Sequence, residues 1–293
     1  MKAEAETVAI VQTIMDPVPL PRVGFAGSLS FTFYWAARPT VGPGWTLEPG
    51  RRDHAVLWLV TEGELGLQTS SGRVDCDSGT LVVFPPGSSP QAENRADQPA
   101  TRYVLSFEMR VWGEVDFFRL YRVPAIRKLK NLDDLVQPWE QLVSQLKAHD
   151  GAVTLGAEGW ARVLVDRWLG DLQASGELQP ATGTDERLAT ALAAVDADLC
   201  GDWSLARLSE VMRLSPVRVR QIFVCEVGVP PARYLTLRRL AHARDLLAGT
   251  DLTSVEIAER CGFPDPRHFS RVFHRVTGVR PTRYREQTQF QRD

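Results

Sequence analysis

The chain has 293 residues and a formal net charge of −2, and 44% of its residues are hydrophobic while 24% are charged. This length suffices for two domains of ordinary size, and this composition is typical of folded globular proteins, which excludes a largely disordered chain. No apolar run reaches the roughly 18 to 20 residues of a membrane span. The N-terminus, MKAEAETVAIVQTIMDPVP, is acidic and broken by prolines, so we predict a cytoplasmic protein.

The charge is distributed unevenly along the chain. The segment from Trp203 to Arg285 contains 15 Arg, no Lys and 7 Asp plus Glu, a formal charge of +8, which leaves −10 for the rest because the total is −2. A basic segment beside an acidic remainder indicates an appended unit that binds nucleic acid.

The first region, from about Pro17 to Met109, consists of short apolar runs separated by turn residues, such as LSFTFYWA, AVLWLV and GTLVVFPPG. This spacing predicts an all-β sandwich or barrel, and a barrel can hold a small molecule in its mouth. The candidate effector-binding residues are aromatic or basic side chains of this region: Trp35, Arg38, Arg51, His54, Trp58 and Phe84, with Trp45 and Arg52 as further candidates. At strand spacing, the same aromatic side chains are also typical of a core.

The hydrophobic period changes after this region. Steps of three and four predict one face of a helix formed by Leu132, Leu135, Trp139, Leu142 and Leu146. Pro138 predicts either a kink in this helix or a later helix start. A second helical face is formed by Trp160, Val163, Leu164, Trp168 and Leu172. Two interpretations of the first face stay open: it packs on the barrel of its own subunit, or it pairs with a second subunit to form a homodimer that binds two adjacent sites.

The C-terminal region contains an internal repeat. At an offset of 50 residues, seven of the 20 positions from Pro216 to Leu235 are identical, against about one expected by chance. Each copy has the start and stop signals of a helix, a tight turn and a second helix. These signals are Ser215 with Pro216 in the first copy, and Thr253 with Glu256, Gly262, and Asp265 with Pro266 in the second. We therefore predict two helix-turn-helix units, at about residues 204–226 and 253–277.

The second helix of each unit has an apolar face and an outward face. The apolar faces consist of Val219, Ile222 and Phe223, and of Phe269, Val272, Phe273 and Val276. The candidate DNA-binding residues lie on the outward faces: Val217, Arg218, Arg220, Gln221, Arg267, His268, Ser270, Arg271, His274 and Arg275. Arg and Gln pair bidentately with guanine and adenine edges in the major groove, and other Arg side chains contact phosphate. A long helix predicted from about Pro231 to Leu247 would span about 25 Å and place the two recognition helices in successive major-groove segments.

The stretch from Leu214 to Arg285, which ends in GFPDPRHFSRVFHRVTGVRPTRYR, resembles the DNA-binding domain of the AraC/XylS family of bacterial transcription regulators. The resemblance covers the 72 residues of this stretch. It implies an activator that contacts a double-stranded DNA operator and RNA polymerase. It also implies that the base-facing positions are Val217, Arg220 and Gln221 in the first recognition helix, and Arg267, His268 and Arg271 in the second. The family usually has Arg where this chain has Gln221.

The segment from Arg51 to Pro90 resembles the cupin-like sensor domain that precedes such DNA-binding domains. A catalytic cupin holds its metal with His and Glu side chains from two motifs. This chain has one histidine before residue 125, His54, and it has Pro90 where the second motif would place a histidine. We therefore predict no catalytic residues, no metal and no cofactor. The alternatives are a metal-dependent cupin enzyme fused to DNA-binding helices, and a β domain that only dimerises or contacts protein partners.

The predicted fold is therefore α+β with two domains. A cupin-like effector-binding β-barrel spans residues 1–125, and a helical dimerisation region spans residues 126–175. A linker at residues 176–185, within the stretch Ala174–Glu186 that gathers Gly, Pro, Ser and Thr, leads to an all-α DNA-binding domain at residues 186–293. The predicted activity is that of a regulator that responds to a small-molecule effector, and the identity of that effector is left open.

Overall fold

The computed structural model describes residues 29–69, 72–129, 131–181 and 185–289. The acidic N-terminal segment and residues 17–28 of the predicted β region lie outside the described residues. The chain divides into two compact units. The sheet unit comprises Ser30–Arg110 and Tyr121–Gln179, and the helical unit comprises Val111–Leu120 together with the chain from residue 180 onward.

The strands are numbered in chain order as β1 Leu29–Ala37, β2 Thr40–Val41, β3 Thr46–Leu47, β4 Ala55–Glu62, β5 Glu64–Thr69, β6 Gly72–Asp77, β7 Thr80–Phe84, β8 Gln91–Glu93, β9 Ala100–Val111, β10 Val115–Asp116, β11 Tyr121–Arg122, β12 Ile126–Lys128 and β13 Gln179–Pro180. In the sheet unit, one antiparallel sheet has the order β1-β9-β4-β7-β12, with β2 also on β9, and a second has the order β3-β8-β5-β6. Apolar side chains from both sheets, including Trp58, Leu65 and Val104, share one core. The barrel-like β fold predicted from the strand spacing is confirmed.

The helices are numbered as α1 Phe117–Leu120, α2 Asp133–Ala148, α3 Leu155–Ala174, α4 Glu186–Ala197, α5 Leu205–Met212, α6 Pro216–Ile222, α7 Pro231–Gly249, α8 Ser254–Arg260, α9 Pro266–Thr277 and α10 Pro281–Gln289. A single wide π-helical turn, Phe223–Val227, continues α6. The predicted all-α C-terminal domain is confirmed.

Helices α2 and α3 belong to the sheet unit and pack on β9. Trp139 of α2 stacks on Tyr103, with ring centroids 5.3 Å apart, and Trp168 of α3 meets Phe107 edge to face at 6.3 Å. Strand β9 is therefore buried on both faces, one against the core between the sheets and one against these helices. This double burial explains why its sequence shows no hydrophobic alternation.

The face of α2 that was predicted to bind a second subunit is covered within this chain. Leu135, Trp139, Leu142 and Leu146 are all buried, and Leu132 is a half-buried residue just before the helix. The first of the two interpretations, packing within one subunit, fits this burial. A homodimer through this face loses its structural basis, because the apolar side chains already have partners.

Two sequence expectations for these helices are wrong in detail. Helix α2 begins at Asp133, so of the two alternatives for Pro138 the later helix start is wrong. Pro138 leaves the carbonyl of Asp134 without its helical donor, and the guanidinium of Arg167 donates to that oxygen at 2.5 Å. In α3, Val163 is exposed and Trp160 is half-buried, because the buried face runs through Ala161, Leu164, Val165, Trp168 and Leu172.

Part of the predicted linker lies within the described residues. Leu178 is buried, and Gln179–Pro180 form the short strand β13. Residues 182–184 lie outside the described residues. Asp185 then caps α4, because its carboxylate accepts a hydrogen bond from the backbone N–H of Arg187.

Candidate nucleic-acid interface

Local capping fixes where each recognition helix begins. The hydroxyl of Ser215 accepts a hydrogen bond from the N–H of Arg218 at the start of α6, and the carboxylate of Asp265 accepts one from the N–H of His268 at 2.7 Å at the start of α9. Both helices have Pro at their first position, where the missing N–H costs no helical hydrogen bond. The cap residues predicted from the sequence are confirmed.

The turn of the second unit depends on a glycine. Gly262 follows α8 and has φ +69°, a left-handed conformation that glycine adopts without strain. A Cβ at this position would lie 2.9 Å from the backbone of Cys200. The preceding helix α8 starts with a capping box between Thr253 and Glu256, and these hydrogen bonds lower the pKa of Glu256.

The inner faces of the recognition helices are buried as predicted. Val219, Ile222 and Phe223 are buried in the first unit. In the second unit, Phe269 and Phe273 are fully buried in a core shared with α7 and α8, and Val276 is half-buried. Helix α9 is therefore held by its apolar face, which fixes the direction of its opposite face.

The outward face of α9 carries the basic residues. Arg267, Arg271, His274 and Arg275 are exposed, and His268 and Ser270 are half-buried. Within the described ranges, none of the three arginines forms an ion pair with Asp or Glu. This face therefore presents solvated guanidinium groups that are available to an anionic partner.

The outward face of α6 is less basic. Val217 is 63% exposed, and Arg218, Arg220 and Gln221 are also exposed. The guanidinium of Arg218 donates to the side-chain oxygen of Gln221 at 3.3 Å. This hydrogen bond occupies the acceptor oxygen of Gln221 and leaves its amide N–H groups to contact another partner.

Other arginines of the helical unit hold the fold together. Arg233 of α7 pairs with Glu114, and Arg238 of α7 pairs with Asp196 of α4 at 2.7 Å. Burial raises the pKa of Asp196, although Arg238 opposes this effect. Arg285 donates to the carbonyl of Leu252. It therefore has a structural contact and is no solvated cation.

The candidate effector residues of the sheet unit are not brought together. Trp35 is 49% exposed, Arg51 is exposed, and Arg38 pairs with Glu62 at 3.1 Å. His54 stacks on Tyr34 with ring centroids 3.8 Å apart. The exceptions are Trp58 and Phe84, which meet edge to face at 4.9 Å in the core between the sheets, and Trp45, which packs against the same core.

The sequence analysis missed a charged residue inside this core. Arg102 of β9 is 6% exposed, and its guanidinium carbon lies 4.5 Å from the ring centre of Trp45 and 4.4 Å from that of Trp58. Burial lowers the pKa of Arg102 to about 10. A signal was present in the sequence, since Arg102 shares its side of β9 with the apolar residues Ala100 and Val104.

The residues that the structure describes contain neither a cluster of metal-ligating side chains nor a helix that could span a membrane. Among those residues, no three His, Cys, Asp or Glu side chains form a group that could hold a metal ion. No helix of the described chain combines the length and apolar character needed to cross a membrane.

Comparison with known protein families assigns both units. The family described as AraC-like ligand binding domain matches residues 40–165, and the family described as helix-turn-helix domain matches residues 208–287. The chain thus combines an AraC-like ligand-binding domain with a helix-turn-helix domain. The resemblance seen in the sequence is confirmed.

Curated relatives match part of the chain. The HTH-type transcriptional activator RhaR of Enterobacter sp. (strain 638) is 36% identical over 103 residues, which are 35% of this chain and 36% of that protein. The HTH-type transcriptional activator RhaS of Shigella boydii serotype 18 is 28% identical over 152 residues, which are 52% of this chain and 55% of that protein. The matched part therefore spans about a third to a half of these relatives.

One solved structure is similar to about a third of the chain, and another is similar to most of it. The DNA-binding domain of AdpA in complex with a target DNA covers 36% of this chain and 96% of its own, at 27% identity and a TM-score of 0.35. ToxT from Vibrio cholerae covers 88% of this chain and 98% of its own, at 12% identity and a TM-score of 0.34.

Proposed function

We propose that this chain is an effector-responsive transcription regulator that binds a double-stranded DNA operator with α6 and α9 as recognition helices. The observation that carries the proposal is the outward face of α9. Its arginines are exposed and have no acidic partner in the described chain, while its apolar face is fixed in the core. A helix held in this way can enter the major groove with its base-reading side chains in a defined direction.

Different outward residues have different proposed roles. Arg267 and Arg271 are one helical turn apart near the start of α9, and we assign them to base edges together with His268. Arg275, one turn further on, is assigned to phosphate, because base contacts in helix-turn-helix proteins come mainly from the first part of the recognition helix. On α6, the proposed base contacts are Arg220 and Gln221, with apolar contact from Val217.

Helix α7 separates the two units. It contains 19 residues, which corresponds to about 28 Å at 1.5 Å per residue. This length supports the placement of α6 and α9 in successive major-groove segments about 34 Å apart, since each recognition helix adds its own offset. One chain would then read two segments on one side of the duplex.

The remaining parts of the proposal rest on family membership. RhaR and RhaS are described as transcriptional activators, so we assign activation and contact with RNA polymerase to this chain. A small-molecule effector in the sheet unit would shift the population of DNA-binding states only if it binds those states with different affinities. We propose a cytoplasmic location, and a homodimer through a surface other than the covered face of α2.

The experiment uses the full chain. A binding site is selected from random double-stranded DNA, and the Kd for this site is compared with the Kd for a scrambled duplex. In the Arg267→Ala, Arg271→Ala double variant, the ratio of the two Kd values should fall by about 30-fold or more, since each bidentate base contact contributes about 1 to 3 kcal/mol of discrimination.

The matched control removes two exposed arginines of the same unit, Arg260 and Arg283, in an Arg260→Ala, Arg283→Ala double variant. It loses the same charge, so non-specific binding should weaken similarly in both variants. An unchanged Kd ratio in the Arg267, Arg271 variant would contradict the proposed position of α9. Failure to select any site would contradict the proposed function itself.

A further inference from the structure

The core of the sheet unit contains a charged group that has no acidic partner among the described residues. Arg102 is 6% exposed, and its Nε and one terminal nitrogen are buried without a hydrogen-bond partner in the described structure. No described Asp or Glu forms an ion pair with it. A buried charge is normally paired, because taking it out of water is unfavourable.

The backbone register shows where Arg102 points. In the antiparallel pair of β4 and β9, Arg102 lies opposite Val60, and Val104 lies opposite Trp58. Val60, Trp58 and Val104 all belong to the core between the two sheets. Arg102 lies on the same side of β9 as Val104, so its side chain extends into this core.

Two indole rings flank the guanidinium without satisfying it. Trp45 and Trp58 lie within 4.5 Å of its carbon, a distance typical of cation–π contacts. Such contacts stabilise the positive charge through the faces of the rings. They do not replace hydrogen bonds, because the N–H groups of guanidinium lie in its own plane.

We infer that Arg102 is the anchor for a ligand with one carboxylate and an apolar body, bound between the two sheets and beside Trp45. The inference deepens the proposed function, because it names the chemical class of the effector and rests on that function. A carboxylate accepts hydrogen bonds from guanidinium in a matching geometry. The neighbouring core side chains Val60, Leu65 and Val104 are apolar, so they would contact an apolar body.

The charge balance favours a carboxylate over a phosphate. Among the described residues, Arg102 is the one charged residue in the buried core, and a single positive charge matches a single negative charge. A phosphate dianion would leave excess negative charge in an apolar core.

Trp45 is the partly exposed neighbour of Arg102. Trp45 is half-buried and ends the turn that begins at Gly42. The backbone of Asn94 holds this turn, since its N–H donates to the Trp45 carbonyl at 2.8 Å. Trp45 is therefore the partly exposed wall of the site, and its fluorescence should respond to a ligand on Arg102.

The experiment measures the melting temperature and tryptophan fluorescence of the full chain with benzoate, octanoate and 4-phenylbutyrate. Each acid is paired with its neutral amide, and phenyl phosphate supplies the phosphate arm. At about 100 times Kd, a carboxylate should raise the melting temperature by about 5 to 10 °C, whereas its amide should not.

The variant Arg102→Met should weaken this carboxylate by roughly 10- to 100-fold, the effect of one charge-assisted contact. Arg95→Met is the control, because Arg95 is an exposed arginine of the same unit, and it should bind within 2-fold of the unmodified protein. The inference is overturned if no carboxylate raises the melting temperature more than its amide does, or if phenyl phosphate raises it more than the carboxylates do. It is also overturned if the Arg102→Met variant binds the carboxylate as tightly as the Arg95→Met variant does.

The same protein preparation is tested for specific DNA binding. Specific DNA binding without a carboxylate effect would overturn only the inference about Arg102. If the unmodified protein shows no specific DNA binding, the proposed function is overturned, whatever the result with the carboxylates.

Discussion

The core of the sheet unit and the outward face of α9 both contain guanidinium groups without an acidic partner in the described chain, but they differ in their exposure to water. The arginines of α9 are exposed, so water solvates them and their presence costs the fold little. Arg102 is buried, so the fold must tolerate its desolvation. An unpaired arginine on the surface is therefore ordinary, whereas an unpaired arginine in a core indicates a site.

The largest expected effect concerns the apolar face on which α9 is held. Phe273 is fully buried and meets Tyr284 edge to face at 5.4 Å. Phe273→Ala should lower the free energy of unfolding of the helical unit by about 3 to 5 kcal/mol, as measured by urea denaturation. Specific DNA binding should be lost although every outward charge is retained, because the helix direction is no longer fixed.

The control for this variant is Val255→Ala. Val255 is 49% exposed in the neighbouring helix α8, so the change should remain within about 0.5 kcal/mol. If Phe273→Ala lowers the free energy of unfolding by less than about 1.5 kcal/mol, other contacts hold α9. The apolar face of α9 would then contribute no more to stability than its outward face.

A smaller effect of opposite sign is expected for the buried arginine. Burial lowers the pKa of Arg102 from its ordinary value to about 10, and one pKa unit corresponds to about 1.4 kcal/mol. A base with a lowered pKa destabilises the fold at every pH below that pKa. Cation–π contacts offset part of this cost, so Arg102→Met should stabilise the protein by about 1 to 3 kcal/mol at pH 7.

Urea denaturation of the sheet unit at pH 7 measures this gain, with Arg95→Met as the reference. The advantage of Arg102→Met should shrink as the pH rises through about 10, because the native arginine then loses its charge. A destabilisation of more than about 1 kcal/mol would show that the guanidinium is satisfied inside the protein, and the comparison with α9 would fail.

The smallest effect on stability is expected for Arg275→Ala. Arg275 is exposed on α9, so the free energy of unfolding should change by less than about 0.5 kcal/mol. Binding should weaken equally for all DNA sequences, and the slope of log K against log salt should fall by about 1. A sequence-dependent loss would instead move Arg275 from phosphate to a base edge.

The helix-turn-helix units were predictable because their signals are local. The N-caps Ser215 and Asp265, the capping box of Thr253 with Glu256, and the turn glycine Gly262 act within three or four residues, so the sequence order already contains their geometry. The outward face of α9 follows from its 3.6-residue period once these ends are known. The DNA-binding roles of the outward residues stay predictions.

The interior of the sheet unit was not predictable in the same way. Trp58 and Phe84 were predicted as pocket or core residues. Arg38 pairs with Glu62 and His54 stacks on Tyr34, and both of these partners lie far away in the sequence. Arg102 shares its side of β9 with Ala100 and Val104, but β9 is buried on both faces, so its sequence has no alternation of polar and apolar residues that would mark the side facing the core. Pairing between distant strands determines its neighbours, and that pairing follows from no short motif.

The contact between Gly262 and Cys200 has a consequence for any attempt to divide the molecule. Arg239 of α7 donates to the carbonyls of Leu199 and Gly201, in the same loop that Gly262 touches. The loop after α4 is thus part of the wall behind the second helix-turn-helix unit, about 60 residues away in the chain. A minimal DNA-binding fragment consequently has to begin at or before Asp185, where α4 is capped. A fragment that began at α5 would lack the loop after α4, and with it the contacts that support the second helix-turn-helix unit.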